Sequence, residues 1–251
     1  MRKLTEGFSL RGVLRSLRRS DALLPFFWPY YRIAVWLLLR KTPSTSDPFL
    51  EQANGLIHVG AHYGEERLEY AKRKLRVLWI EANPEHIPIL KANLRGVPMQ
   101  SCMQSLLGSK SCSNRKFFVA NNEGASSSIY PFQEQSLIWP DLKMSGSKTL
   151  RQFTLPEALA GSSKRIEDYD TLIMDVQGAE LEILKGIPNL EQRFKRIQLE
   201  TSDFPLYQGA AIQSEIDSFL QYSGYRLLES KTFATDGIKR NCMDCRYVLD
   251  R

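Results

Sequence analysis

From Gly55 onward, short apolar runs alternate with amphipathic stretches, and this alternation constrains the fold more than any other feature of the chain. Leu56–Val59, Val77–Ile80, Val97–Met103, Thr171–Met174 and Arg196–Leu199 read as strands. Between them, Glu65–Lys74, Pro84–Leu94 and Ala179–Lys185 read as helices, with proline tolerated at the first helical position. Ala211–Tyr222 is a further helix, and Tyr225–Leu228 and Arg246–Leu249 are closing strands. The intervening residues 104–154 are polar and rich in Ser, Asn and Gly, with short strands expected at Lys116–Val119 and Ser127–Tyr130. Strand and helix in alternation imply an α/β fold with a mostly parallel sheet and helices on both faces.

Composition sets the class and separates off one end. At 251 residues, 43% hydrophobic and 25% charged, the chain is neither disordered nor fibrous. Four cysteines are too few for a disulfide scaffold, so a reducing, cytoplasmic setting is expected. The net charge of +6 is not spread evenly. Residues 1–41 carry nine Lys or Arg against Glu6 and Asp21, and the remaining 210 residues are nearly neutral. A basic surface for nucleic acid is therefore not expected. Arg11, Arg15, Arg18 and Arg19 flank Leu10, Val13, Leu14 and Leu17 at helical spacing, and Leu23–Leu39 is an apolar, aromatic run. Pro25, Pro29 and Arg32 interrupt that run, and mixed Trp, Tyr and Arg suit the headgroup boundary better than the bilayer centre. Residues 1–41 thus read as a helical extension for peripheral membrane association, the alternative being a helix packed on the domain. Residues 42–54 read as a linker and 55–251 as the domain.

Candidate chemistry collects at strand ends. The first strand runs into Val59-Gly60-Ala61-His62-Tyr63-Gly64, where two glycines allow a sharp turn close to a ligand. The second ends at Glu81, where a doubly wound sheet presents a carboxylate to ribose hydroxyls. A dinucleotide site wants G-x-G-x-x-G, whereas the looser Gly60-x-x-x-Gly64 suits a nucleoside ligand without phosphates, such as S-adenosylmethionine. Asp175 and Glu200 each follow an apolar strand, at the rim where open sheets bind ligands. Either carboxylate, or His62, is a candidate base, and the residues alone do not choose among them. Cys242-x-x-Cys245 with Cys102 and Cys112 offers four thiolates, but the nine-residue gap in the second pair is not a zinc-knuckle spacing. Reduced structural cysteines are expected, and no metal.

Three stretches resemble one family. Ile57-His58-Val59-Gly60-Ala61-His62-Tyr63-Gly64-Glu65-Glu66, Leu78-Trp79-Ile80-Glu81-Ala82-Asn83-Pro84 and Asp175-Val176-Gln177-Gly178-Ala179-Glu180 are similar to the FkbM family of S-adenosylmethionine-dependent methyltransferases, the last being the most specific. Leu206-Tyr207-Gln208-Gly209-Ala210-Ala211 and the run Ser126-Ser127-Ser128 add to the likeness. The resemblance implies a Rossmann-like class I methyltransferase fold with a seven-stranded sheet, and O-methylation of a hydroxyl on a sugar, glycan or other polar small molecule. It implies that Gly60, Ala61, His62 and Gly64 line the methionine side of the cofactor and that Glu81 holds its ribose, with Asn83 nearby. Gln104 and Ser105 would lie near adenine, and Asp175 near the methyl group. The competing reading is a catalytically silent Rossmann-like binding module, recruited to a membrane or partner by its N-terminus.

The charge pattern of residues 1–41 generates a test. Each arginine near an anionic membrane surface contributes roughly 1 kcal/mol of attraction. The full chain should float with anionic vesicles at low salt and leave them at high salt, while a chain starting near Pro48 should not float. Equal behaviour of the two chains in flotation overturns the anchor.

Overall fold

The computed structural model describes residues 46–250, so the expectations for residues 1–41 lie outside the described residues. Ten strands follow one another: β1 (Gly55–Val59), β2 (Arg76–Glu81), β3 (Gln100–Gln104), β4 (Leu106–Leu107), β5 (Cys112–Ala120), β6 (Met144–Phe153), β7 (Thr171–Met174), β8 (Arg196–Ser202), β9 (Tyr225–Thr235) and β10 (Asn241–Leu249). Seven of them form the main sheet in the order β3-β2-β1-β7-β8-β10-β9. Pairing is parallel from β3 through to β8, and β10 runs antiparallel between β8 and β9. This is the seven-stranded, mostly parallel sheet that the sequence implied. The chain leaves β1 for β2 on one side and later returns to β7 on the other, so β1 and β7 flank the switch point. Ligands of open α/β sheets bind in the crevice beyond the carboxyl ends at such a point.

Helices cover both faces, and strand alternation decides which residue faces which layer. Ile57 and Val59 of β1, Leu78 and Ile80 of β2, and Leu172 and Met174 of β7 share one core. That core is completed by α4 (Leu155–Ala160), α5 (Glu180–Lys185), α6 (Leu190–Arg193) and α7 (Gln213–Tyr222). Leu56, Val77, Trp79 and Ile173 point the other way, onto α1 (Pro48–Glu51), α2 (Arg67–Lys72) and α3 (Ile87–Leu94). Strands buried on both faces explain why the sequence shows continuous apolar runs rather than alternation.

The polar stretch after β3 folds as a second sheet in the order β4-β6-β5. It packs through Leu106, Phe117 and Ile129 on Ala179 and Val176, which follow β7, and on Ala82, which follows β2. The insert therefore roofs the carboxyl rim. The expected strand at Ser127–Tyr130 is only a bridge between Ser128 and Phe118, and β6 had no counterpart in the sequence reading. Most of β6 is exposed or half-buried, so its residues carry no apolar run to mark it.

Residues 47–54, expected as the end of a linker, are part of the folded body. Asp47 caps α1 by accepting from the Phe49 and Leu50 amides, and Phe49 and Leu50 are buried. The same carboxylate pairs with Arg246 of β10 at 2.9 Å, and Asn54 is held by Asp170. Burial of two apolar side chains and a shared acidic cap draw the segment in where composition alone pointed to a linker. Asp47→Ala should cost about 1–2 kcal/mol, the range for losing a helix cap, read as a lower urea midpoint with an unchanged slope.

Candidate functional site

At the switch point, β1 and β7 come so close that residue 60 has no room for a side chain. A Cβ on Gly60 would lie 1.7 Å from the Asp175 carbonyl oxygen, and its φ of +84° also favours glycine. The Asp175 amide donates to the Val59 carbonyl at 3.0 Å, which carries the sheet ladder right up to the crevice. Beyond it opens a cavity of about 320 Å³. Gly60, Ala61, His62, Glu81, Ser105 and Asp175 line it together, as the sequence grouped them.

Glu81 organises one wall. Its two carboxylate oxygens accept the His62 and Asn83 amides, each at 2.7 Å, so β2 fixes the turn after β1 as well as its own. An ionised carboxylate has about four acceptor positions, leaving capacity for a ligand hydroxyl. Ser105 is buried, its amide donates to the Glu81 carbonyl, and its Oγ has no partner among the described residues. His86 closes this side, with Nε2 3.0 Å from the Glu123 carbonyl. Gly124 packs on its ring, where a Cβ would lie 2.9 Å away. His58, also on the wall, stacks on Trp79 and contacts the Tyr70 hydroxyl; burial pushes its pKa down to about 4, so it is neutral and no proton acceptor for catalysis near neutrality.

The block after β7 forms the opposite wall. Gln177, at φ +58°, donates from its side-chain amide to Asp175 and accepts the Tyr207 hydroxyl proton. Its backbone carbonyl accepts from Ser128 Oγ at 2.6 Å. Glu180 turns back to accept the Val176 and Gly178 amides and closes the turn on itself; burial pushes its pKa up to about 7. Gly178 leaves room for the Tyr207 ring and Ala210. Two of the family-like stretches, 175–180 and 206–211, are thus one packed unit.

Burial also raises Asp175, partly offset by the Gln177 hydrogen bond and reinforced by the charges of Asp244 and Glu81. Burial raises Glu200 further, with the charges of Asp175, Glu180 and Asp244 adding to it. Buried carboxyls in one such field do not all ionise together, and Glu200 keeps its proton longest. His62 is drawn down by burial, but its contact with Glu65, at 3.3 Å, leads the effects that leave it raised overall.

Several expected site residues stand elsewhere. Gly64 does not line the cavity; it closes the turn by donating to the Ala61 carbonyl and packs against Leu90. Asn83 is fully buried beside the site, its side chain occupied by His86, the Glu85 amide and Lys148. Gln104 is exposed and donates to the Ala82 carbonyl. Glu200 belongs to a neighbouring cavity rather than this one. The sequence reading missed His86, Gly124, Phe117 and Ile129, which reach the wall from a helix start and from the insert. Among the described residues no group of three His, Cys, Asp or Glu side chains is arranged to hold a metal ion.

The raised Glu200 carries a stability consequence. A carboxyl whose folded pKa exceeds its unfolded value contributes stability below the unfolded value and loses it as pH rises through the folded one. Glu200→Gln should therefore raise Tm above about pH 7 and leave it unchanged near pH 4. A variant equal to the parent chain at both values in a thermal melt would remove the buried-acid assignment.

Comparison with curated proteins finds no match. Among solved structures, a precorrin-6y C5,15-methyltransferase from Geobacter metallireducens is similar at 14% identity and TM-score 0.42, covering 87% of each chain. A magnesium protoporphyrin IX methyltransferase from Synechocystis, with bound S-adenosylhomocysteine, is similar at 12% identity and TM-score 0.44, over 97% of this chain and 96% of its own. An Aeropyrum pernix fibrillarin with bound S-adenosylmethionine is similar at 10% identity and TM-score 0.42, over 86% and 74%. The sequence comparison is more direct: residues 58–227 match the methyltransferase FkbM domain, a span from the end of β1 through the whole cavity to β9. The chain belongs to the FkbM methyltransferase family.

Proposed function

We propose that this methyltransferase transfers the methyl group of S-adenosylmethionine to a hydroxyl oxygen of a sugar, glycan or other polar small molecule. The residues present fit that cofactor. Glu81 has acceptor capacity for ribose hydroxyls, and the unpartnered Ser105 Oγ beside the apolar Leu106, Phe117 and Ile129 suits the edge and face of a purine. Bound S-adenosylmethionine supplies a methyl group on a sulfonium, so forming the C–O bond is balanced by breaking the C–S bond and by release of the hydroxyl proton.

Asp175 carries the oxygen assignment. A hydroxyl must lose its proton as it is methylated, and a base works best with a pKa near the working pH. Asp175 lies on the cavity wall, fixed by Gln177, and burial lifts it toward that range. His62 is the weaker candidate, its ring being engaged with Glu65 and lying 3.4 Å from the Glu123 carbonyl. The same reading keeps the protein in the cytoplasm, with residues 1–41 drawing it to an anionic membrane surface through arginines and aromatic rings. No helix among the described residues is long and apolar enough to cross a membrane.

Asp175→Asn should lower kcat by roughly a hundredfold or more, the scale of a general base. It should leave S-adenosylmethionine affinity by calorimetry within about threefold, a kcat effect without a binding effect. In the parent chain the rate should fall as pH falls and Asp175 takes up its proton. Assays of S-adenosylhomocysteine release from methyl glycosides, polyols and amines test the acceptor class, and transfer confined to amines overturns the oxygen assignment.

A further inference from the structure

A second cavity, of about 500 Å³, abuts the first. Gln177 lines both, and the loop 121–127 contributes Gly124, Ala125 and Ser127 to the first and Asn121, Asn122 and Ser126 to the second. The partition is rigid. Gln177 is held by Asp175, Tyr207 and Ser128, which belong to three separate segments, while Ser126 and Asn122 hydrogen-bond each other. Asn121 uses its side chain to pin the far wall, donating to the Asp141 carbonyl and accepting the Lys143 amide.

With the asparagines engaged in structure, two other polar groups point to a ligand. Gln135 is 2% exposed, lines this cavity, and its Oε1 has no hydrogen-bond partner among the described residues. A buried amide oxygen left unpaired is destabilising, and a ligand hydroxyl donating to it would remove that cost. Glu200 lines the same cavity, and burial favours its protonated form, a donor for a ligand oxygen. Against these stands an apolar side made by Ile138, Trp139 and Leu142. One aromatic and aliphatic side facing a few fixed polar groups is the make-up of a small-molecule site.

We propose that the methyl acceptor is held in this second cavity, with its apolar face on Trp139 and its polar edge on Gln135 and Glu200. The proposal rests on the methyl-transfer reading and adds to it the place and the residues of acceptor binding. It separates two duties that the sequence left undivided: Asp175, on the wall of the first cavity, takes the proton at the point of transfer, and Glu200 holds the acceptor in the second.

Two stable donor analogues provide a test that does not require the natural acceptor. In both, nitrogen replaces the sulfonium; one carries a methyl group there and the other a longer arm ending in a hydroxylated ring. If the second cavity receives what lies beyond the methyl position, the long-armed analogue should bind the full chain at least about tenfold more tightly than the methyl analogue in calorimetry. Trp139→Ala, which removes the aromatic surface, and Leu142→Trp, which fills the cavity, should each abolish that gain. Both variants should keep the affinity for the methyl analogue within about twofold, which also shows that they fold. No gain in the parent chain, or a gain that survives both substitutions, overturns the proposal. Failure of the parent chain to bind either analogue or S-adenosylmethionine overturns the methyl-transfer reading itself, and this proposal with it.

Discussion

The closest approach in the site is between two backbones. Where β1 ends, Gly60 lies against the Asp175 carbonyl, and no residue with a Cβ fits there without moving β7. That contact brings the turn carrying Ala61 and His62 onto the strand end carrying Asp175. The hydrogen bond from the Asp175 amide to Val59 holds it. Everything chemical in the protein is arranged around this junction. Glu81 reaches it from β2 by accepting the His62 amide, Ser105 reaches it through the Glu81 carbonyl, and the 175–180 turn folds back on itself through Glu180. Carboxylates here serve twice, as fasteners for backbone amides and as the electrostatic content of the cavity.

That double service explains what the sequence made legible. A strand buried on both faces must be apolar throughout, so β1, β2, β7 and the start of β8 stood out, and the polar residue ending each one marked the rim. Glu81 and Asp175, read in this way, and Gly60 in the turn after β1 line the cavity. Asn83 and Gln104, placed at the site by resemblance, do not line it. The Asn83 amide donates to Glu81, and its side chain joins a local network with His86 and Lys148; Gln104 turns outward onto the Ala82 carbonyl. One position along a strand end exchanges cavity for surface, and sequence spacing does not register the difference.

The insert was opaque for a different reason. Strand β5 was legible only over Lys116–Val119, and β6, with few buried residues, shows neither an apolar run nor a clear period of two to distinguish it from loop. Their contribution comes through a handful of side chains, Leu106, Phe117 and Ile129, that rest on the residues following β2 and β7. The insert carries the second cavity because it spans the rim as a roof, and its Ser and Asn content reflects turns and pinning contacts. Asn121 and Asn122 are both occupied in holding loops together.

The pairing of Asp47 with Arg246 has a mechanical side. It joins the first turn of the described chain to β10, 199 residues later in sequence, and the Arg246 guanidinium also lies over the Phe49 ring. The neighbouring ties, Asn54 to Asp170 and Gln52 to Arg196, are made where β7 and β8 begin, at the rim opposite the cavity. A load applied to the chain ahead of Asp47 therefore passes into the antiparallel edge of the sheet and the amino ends of the parallel strands. The turns at Gly60 and Gly178 lie off that path. An enzyme moored by its leading segment would take strain along β10 and at the amino ends of β7 and β8, leaving its reacting groups mechanically isolated from the mooring.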